Sequence, residues 1–305
     1  MPMLERVRAR SAALRRRARL ELRDALELVL LPGLAAVLPW RWCFALFKRI
    51  ARWSWLYRAG SEADWVQAQA MGFGGDRAQW LWQRRLVQLV DHADHYLHRT
   101  RSDRWLAQHV QVHGDWMALG VPAFLFTFHW GAGMWGLRHA HQAGLRVHAM
   151  AAPADGAAFA GRWVLKHYAL ARLRSIEQAL GRPLVLVPKG LRNLRKALQA
   201  QEQVLVLIDV PQDQGGGEPV TLLGHRVRLP AAMPQMAVQQ GAPCAIYITG
   251  LDVLTGRRSI QIVNLPAGLE TPQMMAQLVA FLERLVVEQP ALWHFWGQWP
   301  RFTAP

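Results

Sequence analysis

Two textures of apolar and polar positions divide the chain. Between residues 62 and 108, Trp80, Leu81, Val87, Leu89 and Val90 recur among polar residues at near-helical intervals. Gly72, Gly74 and Gly75 break that run into two helices. From residue 109 the pattern shortens. His109–His113 alternates as a strand does, and Phe124–Phe128, Leu145–Ala151, Leu184–Val187, Val204–Ile208, Cys244–Thr249 and Arg258–Val263 are short apolar runs of strand length. Between them lie helical patterns at Arg162–Leu180, Asn193–Gln201 and Ala232–Gln240, with a long amphipathic one at Gln273–Glu288. This alternation predicts an α/β fold, a sheet covered by helices on both faces. The expected division is a basic segment over 1–24, a helical, membrane-associating region over 25–108 and an α/β domain over 109–305.

The stretch Leu28–Trp40 carries no charge over 13 residues. A membrane-crossing helix needs about 20 apolar residues, and Pro32 and Pro39 disfavour a straight span. Arg41 interrupts the run, and Trp42–Phe47 resume it before Lys48 and Arg49. Two readings fit: an interfacial or shallowly inserted anchor, and a helix pair buried in the core. The anchor is the expectation taken forward, with its basic flanks on the cytoplasmic side. A cleaved signal peptide fits poorly, because the basic lead is long and no small-residue cleavage site follows.

Composition sharpens this. Lys and Arg number 36 against 21 Asp and Glu, a formal charge of +15 that favours an anionic partner. The 15 Trp residues choose among such partners. Several lie beside arginines, as in Trp40-Arg41-Trp42 and Arg52-Trp53-Ser54-Trp55, and indoles next to cations suit an anionic membrane surface. No nucleic-acid-binding motif accompanies the charge, so no nucleic-acid partner is expected. Only Cys43 and Cys244 are present, too few for a cysteine zinc site or a disulfide framework. The histidine row Asp91-His92-Ala93-Asp94-His95-Tyr96-Leu97-His98 lacks a metal-ligand pattern, since successive three-residue steps drift around a helix. No metal site is expected. The segment Asp213-Gln214-Gly215-Gly216-Gly217-Glu218 lacks the Lys and Ser/Thr of a phosphate loop and reads as a flexible loop. A serine hydrolase is disfavoured by the absence of a nucleophile elbow.

The strongest chemical candidate is Thr127-Phe128-His129-Trp130-Gly131-Ala132-Gly133-Met134. A strand brings His129 to its carboxyl end, where open α/β sheets bind ligands, and glycines then permit a tight turn into a helix. A histidine there can serve as a general base near neutral pH, and amides near Gly131 and Gly133 could receive an oxyanion. Asp209, ending the strand Val204–Ile208, should reach the same edge. It either orients His129 or caps its own loop. Arg192, with Arg195 and Lys196, forms a basic helical face that could hold a phosphate or remain solvated.

The segment around His129 resembles the active-site block of the bacterial late lipid A (lauroyl and myristoyl) acyltransferases, within the lysophospholipid and glycerol-phosphate acyltransferase superfamily. Five further blocks follow that family's order. They are Leu30-Leu31-Pro32 to Pro39, Pro188-Lys189-Gly190 with Arg192 and Leu198, Leu207-Ile208-Asp209-Val210-Pro211-Gln212-Asp213, Leu222-Leu223-Gly224-His225 to Pro230 with Ala237 to Pro243, and Pro290-Ala291-Leu292-Trp293-His294 with Trp299-Pro300-Arg301-Phe302. The resemblance implies a glycerol-3-phosphate-acyltransferase-like mixed sheet and a fatty acyl donor, either acyl carrier protein or acyl-CoA. It also implies a hydroxyl acceptor on a lipid A precursor or related lipid, and a place at the cytoplasmic face of the inner membrane. His129 would be the base, Gly131, Gly133, Arg192, Asp213, Gly224 and Arg301 would contact substrate, and no cofactor is needed. The family's acid, five residues after the histidine, falls here on Met134. That departure makes Asp209 the candidate partner. It also keeps open a silent, lipid- or acyl-binding accessory protein.

Overall fold

Along each central strand, successive side chains enter different cores. Phe124 and Phe126 bury on one face of the sheet and Ala123 and Leu125 on the other. Val204 and Val206 oppose Leu205 in the same way, and Ile246 and Ile248 oppose Tyr247. A strand buried on both faces reads as a continuous apolar run, as these do. The computed structural model describes residues 3–153, 156, 159–186, 190–211 and 217–303.

Helices α1 (Met3–Asp24), α2 (Leu31–Val37), α3 (Trp40–Ile50), α4 (Arg58–Ala70), α5 (Arg77–Thr100) and α6 (Asp103–Gln108) form the first part, with a π-helical stretch at Ala25–Leu30 joining α1 to α2. There follow β1 (Val110–His113), β2 (Ala123–Thr127), α7 (Met134–Gln142), β3 (Val147–Ala151), α8 (Trp163–Leu180), β4 (Val185–Leu186), α9 (Leu191–Gln199) and β5 (Gln203–Leu207). The chain continues through β6 (Glu218–Leu222), β7 (His225–Leu229), α10 (Ala232–Gln239), β8 (Cys244–Leu251), β9 (Arg258–Asn264), α11 (Thr271–Glu288) and α12 (Trp299–Phe302). The fold is α/β. Seven strands form one mixed sheet in the order β1-β9-β8-β2-β5-β3-β4, flanked by helices. All neighbours are parallel except β8 and β9. Helices α7 and α8 cover one face. On the other face α3, α5, α10 and α11 share a single apolar cluster with the sheet.

The strands and helices expected from the pattern are present, with ends shifted by one or a few residues, except that the second piece of the 62–108 run is two helices, α5 and α6; Val187, the expected end of one strand, lies outside the described residues. The hairpin β6–β7 was not expected as strands, and Glu218 begins β6 rather than lying in a loop. Only Leu222, Val227 and Leu229 are buried there, while Thr221, His225, Arg226 and Arg228 face outward, so the apolar signal is thin. Positive φ at Leu223 (51°) and Gly224 (79°) makes the two-residue turn whose twist matches a hairpin. Residues 3–24 are helical, and α1 ends by docking on α8. Glu21 accepts from the Trp163 and Val164 amides at 2.6 and 2.8 Å, capping α8, and Arg162 pairs with the buried Asp24.

The uncharged run Leu28–Trp40 is part buried and part exposed. Leu28, Pro32, Ala35 and Trp40 are buried, while Val29, Leu30 and Val37 are exposed. Leu38 turns extended before Pro39, which ends α2. Trp42 and Leu46 continue the exposed apolar face on α3. Among the described residues no helix is long and apolar enough to cross a membrane. Cys43 and Cys244 are both buried free thiols.

The histidine row lies along α5 and packs into the fold. His92 Nδ1 hydrogen-bonds the Tyr168 hydroxyl at 2.7 Å, His95 meets the rings of Tyr96 and Tyr168 edge-on, and His98 lies beside Arg138. Among the described residues no three or more acidic, histidine or cysteine side chains gather as a metal site would need. Burial, reinforced by nearby arginines, pushes His92 down to about 3 and His95 and His98 to about 4. Unfolded histidines protonate near pH 6.5. Between pH 6.5 and 4 the unfolded chain therefore binds more protons, and stability falls as pH falls. Asp94 acts in the opposite sense, because burial raises it to about 6 and its contribution is lost as pH rises towards that value. Three histidines outweigh one aspartate. The thermal midpoint should drop by roughly 5–10 °C between pH 6.5 and 4.5. A midpoint that is flat or rising over that range, read by differential scanning calorimetry, contradicts the assignment.

Candidate active site

Strands β2 and β5 are adjacent and parallel, with Thr127 in register with Leu207. Two residues further on, each strand has left the sheet at the same edge. One carries His129 and the other Asp209. The Ile208 amide still donates to the Thr127 carbonyl at 3.1 Å, so the register holds almost to the site.

The Asp209 carboxylate is fully buried and accepts three N–H groups. His129 Nδ1 lies 2.9 Å from Oδ1. The His129 amide lies 3.0 and 2.9 Å from the two oxygens, and Trp293 Nε1 lies 2.9 Å from Oδ2. A carboxylate accepts only, so in the neutral imidazole the proton belongs on Nδ1 and Nε2 keeps its lone pair. The imidazole side chain is 31% exposed. One face lies flat on Phe295, with ring centroids 3.7 Å apart and an interplanar angle of 14°. Orientation is thus set at Nδ1 and by the ring stack, and Nε2 has no hydrogen bond among the described residues.

The C-terminal segment holds the strand-end turn in place. Trp130 and Trp293 form an antiparallel bridge, and the His294 amide donates to the His129 carbonyl at 2.8 Å. His294 Nε2 lies 2.8 Å from the Gly131 carbonyl, and Arg84 Nη1 lies 3.2 Å from His294 Nδ1. These partners require Nε2 to donate and Nδ1 to accept, which is the neutral ring. Burial, with Arg84 adding to it, accordingly pushes His294 down to about 4. Arg84 is anchored by Asp64 at 2.6 Å, and Asp64 also accepts the Gly297 amide at 2.8 Å. The helical first part of the chain therefore reaches the site through Asp64, Arg84 and His294.

Gly131 is required by backbone geometry. Its φ is +57°, and a Cβ there would stand 2.2 Å from the Thr249 carbonyl oxygen. The Gly131 amide donates to Leu292 O and the Ala132 amide to Thr249 O, each at 3.0 Å. These two amides are occupied, which corrects the expectation that they receive an oxyanion. Gly133 opens α7 half-buried, and its amide has no hydrogen bond among the described residues.

Met134 is 4% exposed and packs with Leu125, Leu137, Leu205 and Tyr247 on the α7 side of the sheet. Position 134 is a core position in this fold, and the carboxylate beside His129 comes from β5. The other expected substrate contacts make no hydrogen bond to His129 or Asp209 among the described residues. Arg192 is exposed on α9. Gly224 is in the exposed β6–β7 turn, and Arg301 on α12 donates to Gln298 Oε1 at 2.6 Å. Asp213 lies outside the described residues.

Pattern reading missed Arg84, Trp293, His294 and Phe295 as neighbours of His129. The last three stand in or next to the C-terminal block noted above, where nothing local ties them to a strand over 160 residues earlier. Arg84 did leave a signal, since it follows Leu81 by three positions on the apolar stripe of α5. No protein-family profile matches the chain, and no curated protein matches it.

Proposed function

We propose that this chain is a membrane-surface acyltransferase that moves a fatty acyl group from an acyl thioester to a hydroxyl of a lipid A precursor or related lipid. The donor in this reading is acyl carrier protein or acyl-CoA. The observation that carries it is the His129–Asp209 pair, with Nδ1 held at 2.9 Å and Nε2 without a hydrogen bond among the described residues, at the carboxyl ends of the parallel strands β2 and β5. Asp209 is to His129 what the aspartate of a hydrolase triad is to its histidine. It fixes the tautomer and balances the imidazolium that forms.

In the proposed reaction His129 Nε2 takes the proton of the acceptor hydroxyl. The alkoxide oxygen bonds to the thioester carbon, giving a tetrahedral oxyanion, for which the Gly133 amide or a basic side chain is the candidate donor. The C–S bond then breaks, and the leaving thiolate receives the proton from Nε2. The charge of +15 favours encounter with an acidic carrier protein and an anionic bilayer. The exposed Trp42, Trp53 and Trp55, all among basic residues, suit the headgroup region of such a bilayer.

The test is His129→Ala, assayed with purified full-length chain, acyl carrier protein bearing a labelled acyl group, and extracted membranes. Turnover should fall at least about 10³-fold, as loss of a base and its orientation implies. The labelled product identifies the acceptor. A variant that transfers label as fast as the wild type excludes His129 as the base. A wild type that binds acyl carrier or lipid without transfer favours the accessory-protein reading instead.

A further inference from the structure

Three arginines are buried among the described residues, and they are not equivalent. Arg84 pairs with Asp64, and Arg258 pairs with Asp94 between the rings of Trp40 and Trp135. Arg85 is 6% exposed, and its Nε, like that of Arg258, is buried with no hydrogen-bond partner among the described residues. It forms no ion pair among the described residues. Its Nη atoms are not buried, so the charge is only partly desolvated and can meet an anion from the cleft side.

Arg85 lines a cleft of about 510 Å³ between the loop after α3 and the first turns of α5. Arg52, Ser54, Glu62, Arg77 and Trp82 share its walls. Glu62 is committed to Arg77 at 2.5 Å, so the arginines exceed the carboxylate by two charges. Burial disfavours the charge of Arg85 and Glu62 supports it, while Arg77 and Arg58 oppose it. Adjacent in the chain to Arg52 and Ser54 are the exposed, mutually stacked Trp53 and Trp55, with ring centroids 5.5 Å apart.

We propose that this cleft binds a phosphate group, with Arg85 as its floor and Arg52 and Arg77 at its rim. A guanidinium fork presents paired N–H donors that match phosphate oxygens, and two unmatched positive charges suit a group carrying one or two negative ones. The phosphate belongs to a lipid headgroup or to a soluble ligand, and the two sources are separable. None of the cleft's lining residues hydrogen-bonds His129 or Asp209 among the described residues, and the proposal holds whether or not His129 is a base.

The test uses the full chain and two probes. Inorganic phosphate is titrated by calorimetry, and phosphatidylcholine vesicles with and without phosphatidic acid are used in flotation. The wild type should bind at least one probe saturably. Arg85→Gln should weaken that binding tenfold or more, and the exposed Arg52→Gln about three- to fivefold, as loss of one charge-assisted contact implies. Arg146→Gln, a surface arginine whose side chain is 70% exposed, should leave it unchanged. Dependence on Arg85 with inorganic phosphate assigns a soluble ligand, and dependence only with phosphatidic acid assigns a lipid headgroup. If Arg85→Gln does not fold by circular dichroism, Arg52→Gln against Arg146→Gln decides. Binding of neither probe by the wild type, equal binding by the Arg85 and Arg52 variants, or equal loss in Arg146→Gln overturns the proposal.

Discussion

Asp209→Asn should lower acyl transfer about 10³- to 10⁴-fold while the chain remains folded. The carboxylate accepts from His129 Nδ1, the His129 amide and Trp293 Nε1. An asparagine has one accepting oxygen and one NH2 group. If the oxygen turns to Trp293, the NH2 meets His129 Nδ1 and forces it to accept. The ring proton then moves to Nε2, where the base is needed. If the oxygen turns to His129, the NH2 meets the indole N–H donor to donor. Either way an unsatisfied contact remains, worth about 1–3 kcal/mol of stability. The loss of rate should far exceed what that destabilisation explains, which separates a positioning role from a structural one. The readouts are the transfer assay beside a thermal melt. Near-normal transfer by Asp209→Asn removes Asp209 from the mechanism, whatever the melt shows.

Arg84→Leu should destabilise the fold by about 3–5 kcal/mol, the cost of leaving a buried charge unpaired. Its side chain is 2% exposed and that of Asp64 is 7% exposed. Removing Arg84 strands the Asp64 carboxylate and withdraws donors from the Ala291 and His294 carbonyls and from His294 Nδ1. The double variant Arg84→Leu with Asp64→Leu should recover part of the loss, because no lone buried charge is then left. Denaturant unfolding of the four proteins gives the coupling energy. Single-variant losses under about 1 kcal/mol, or strictly additive ones, contradict the buried pair as the link between α4, α5 and the C-terminal segment. The same link predicts that residual activity of Arg84→Leu falls with the mobility of the His129 turn.

Much of this was legible from local order. Phe124–Phe128 and Val204–Ile208 announced strands because residues buried on both faces must be apolar in succession. His129 and Asp209 were legible as strand-end residues for the same reason, and parallel neighbours carry their ends to one edge. The hairpin β6–β7 was not legible, because most of its residues face water and only the Leu223–Gly224 turn betrays it. The run Leu28–Trp40 looked uniform, yet its residues divide between a core face on α5 and an exposed face. Composition alone does not say which side a helix turns to its neighbour.

The sequence by itself determined the α/β class, the positions of most elements and the two residues most suited to chemistry. Those follow from periodicity and from where a strand must stop. Tertiary structure alone decided that β2 and β5 are neighbours in register, which puts Asp209 rather than residue 134 against His129. It also turned Met134 into a core residue, took the Gly131 and Ala132 amides for turn bonds, and brought Trp293, His294 and Arg84 to the site. The reason is the same in each case. Strand order and register are set by the packing of the whole apolar core, and a contact between residues 80 positions apart has no counterpart in local spacing.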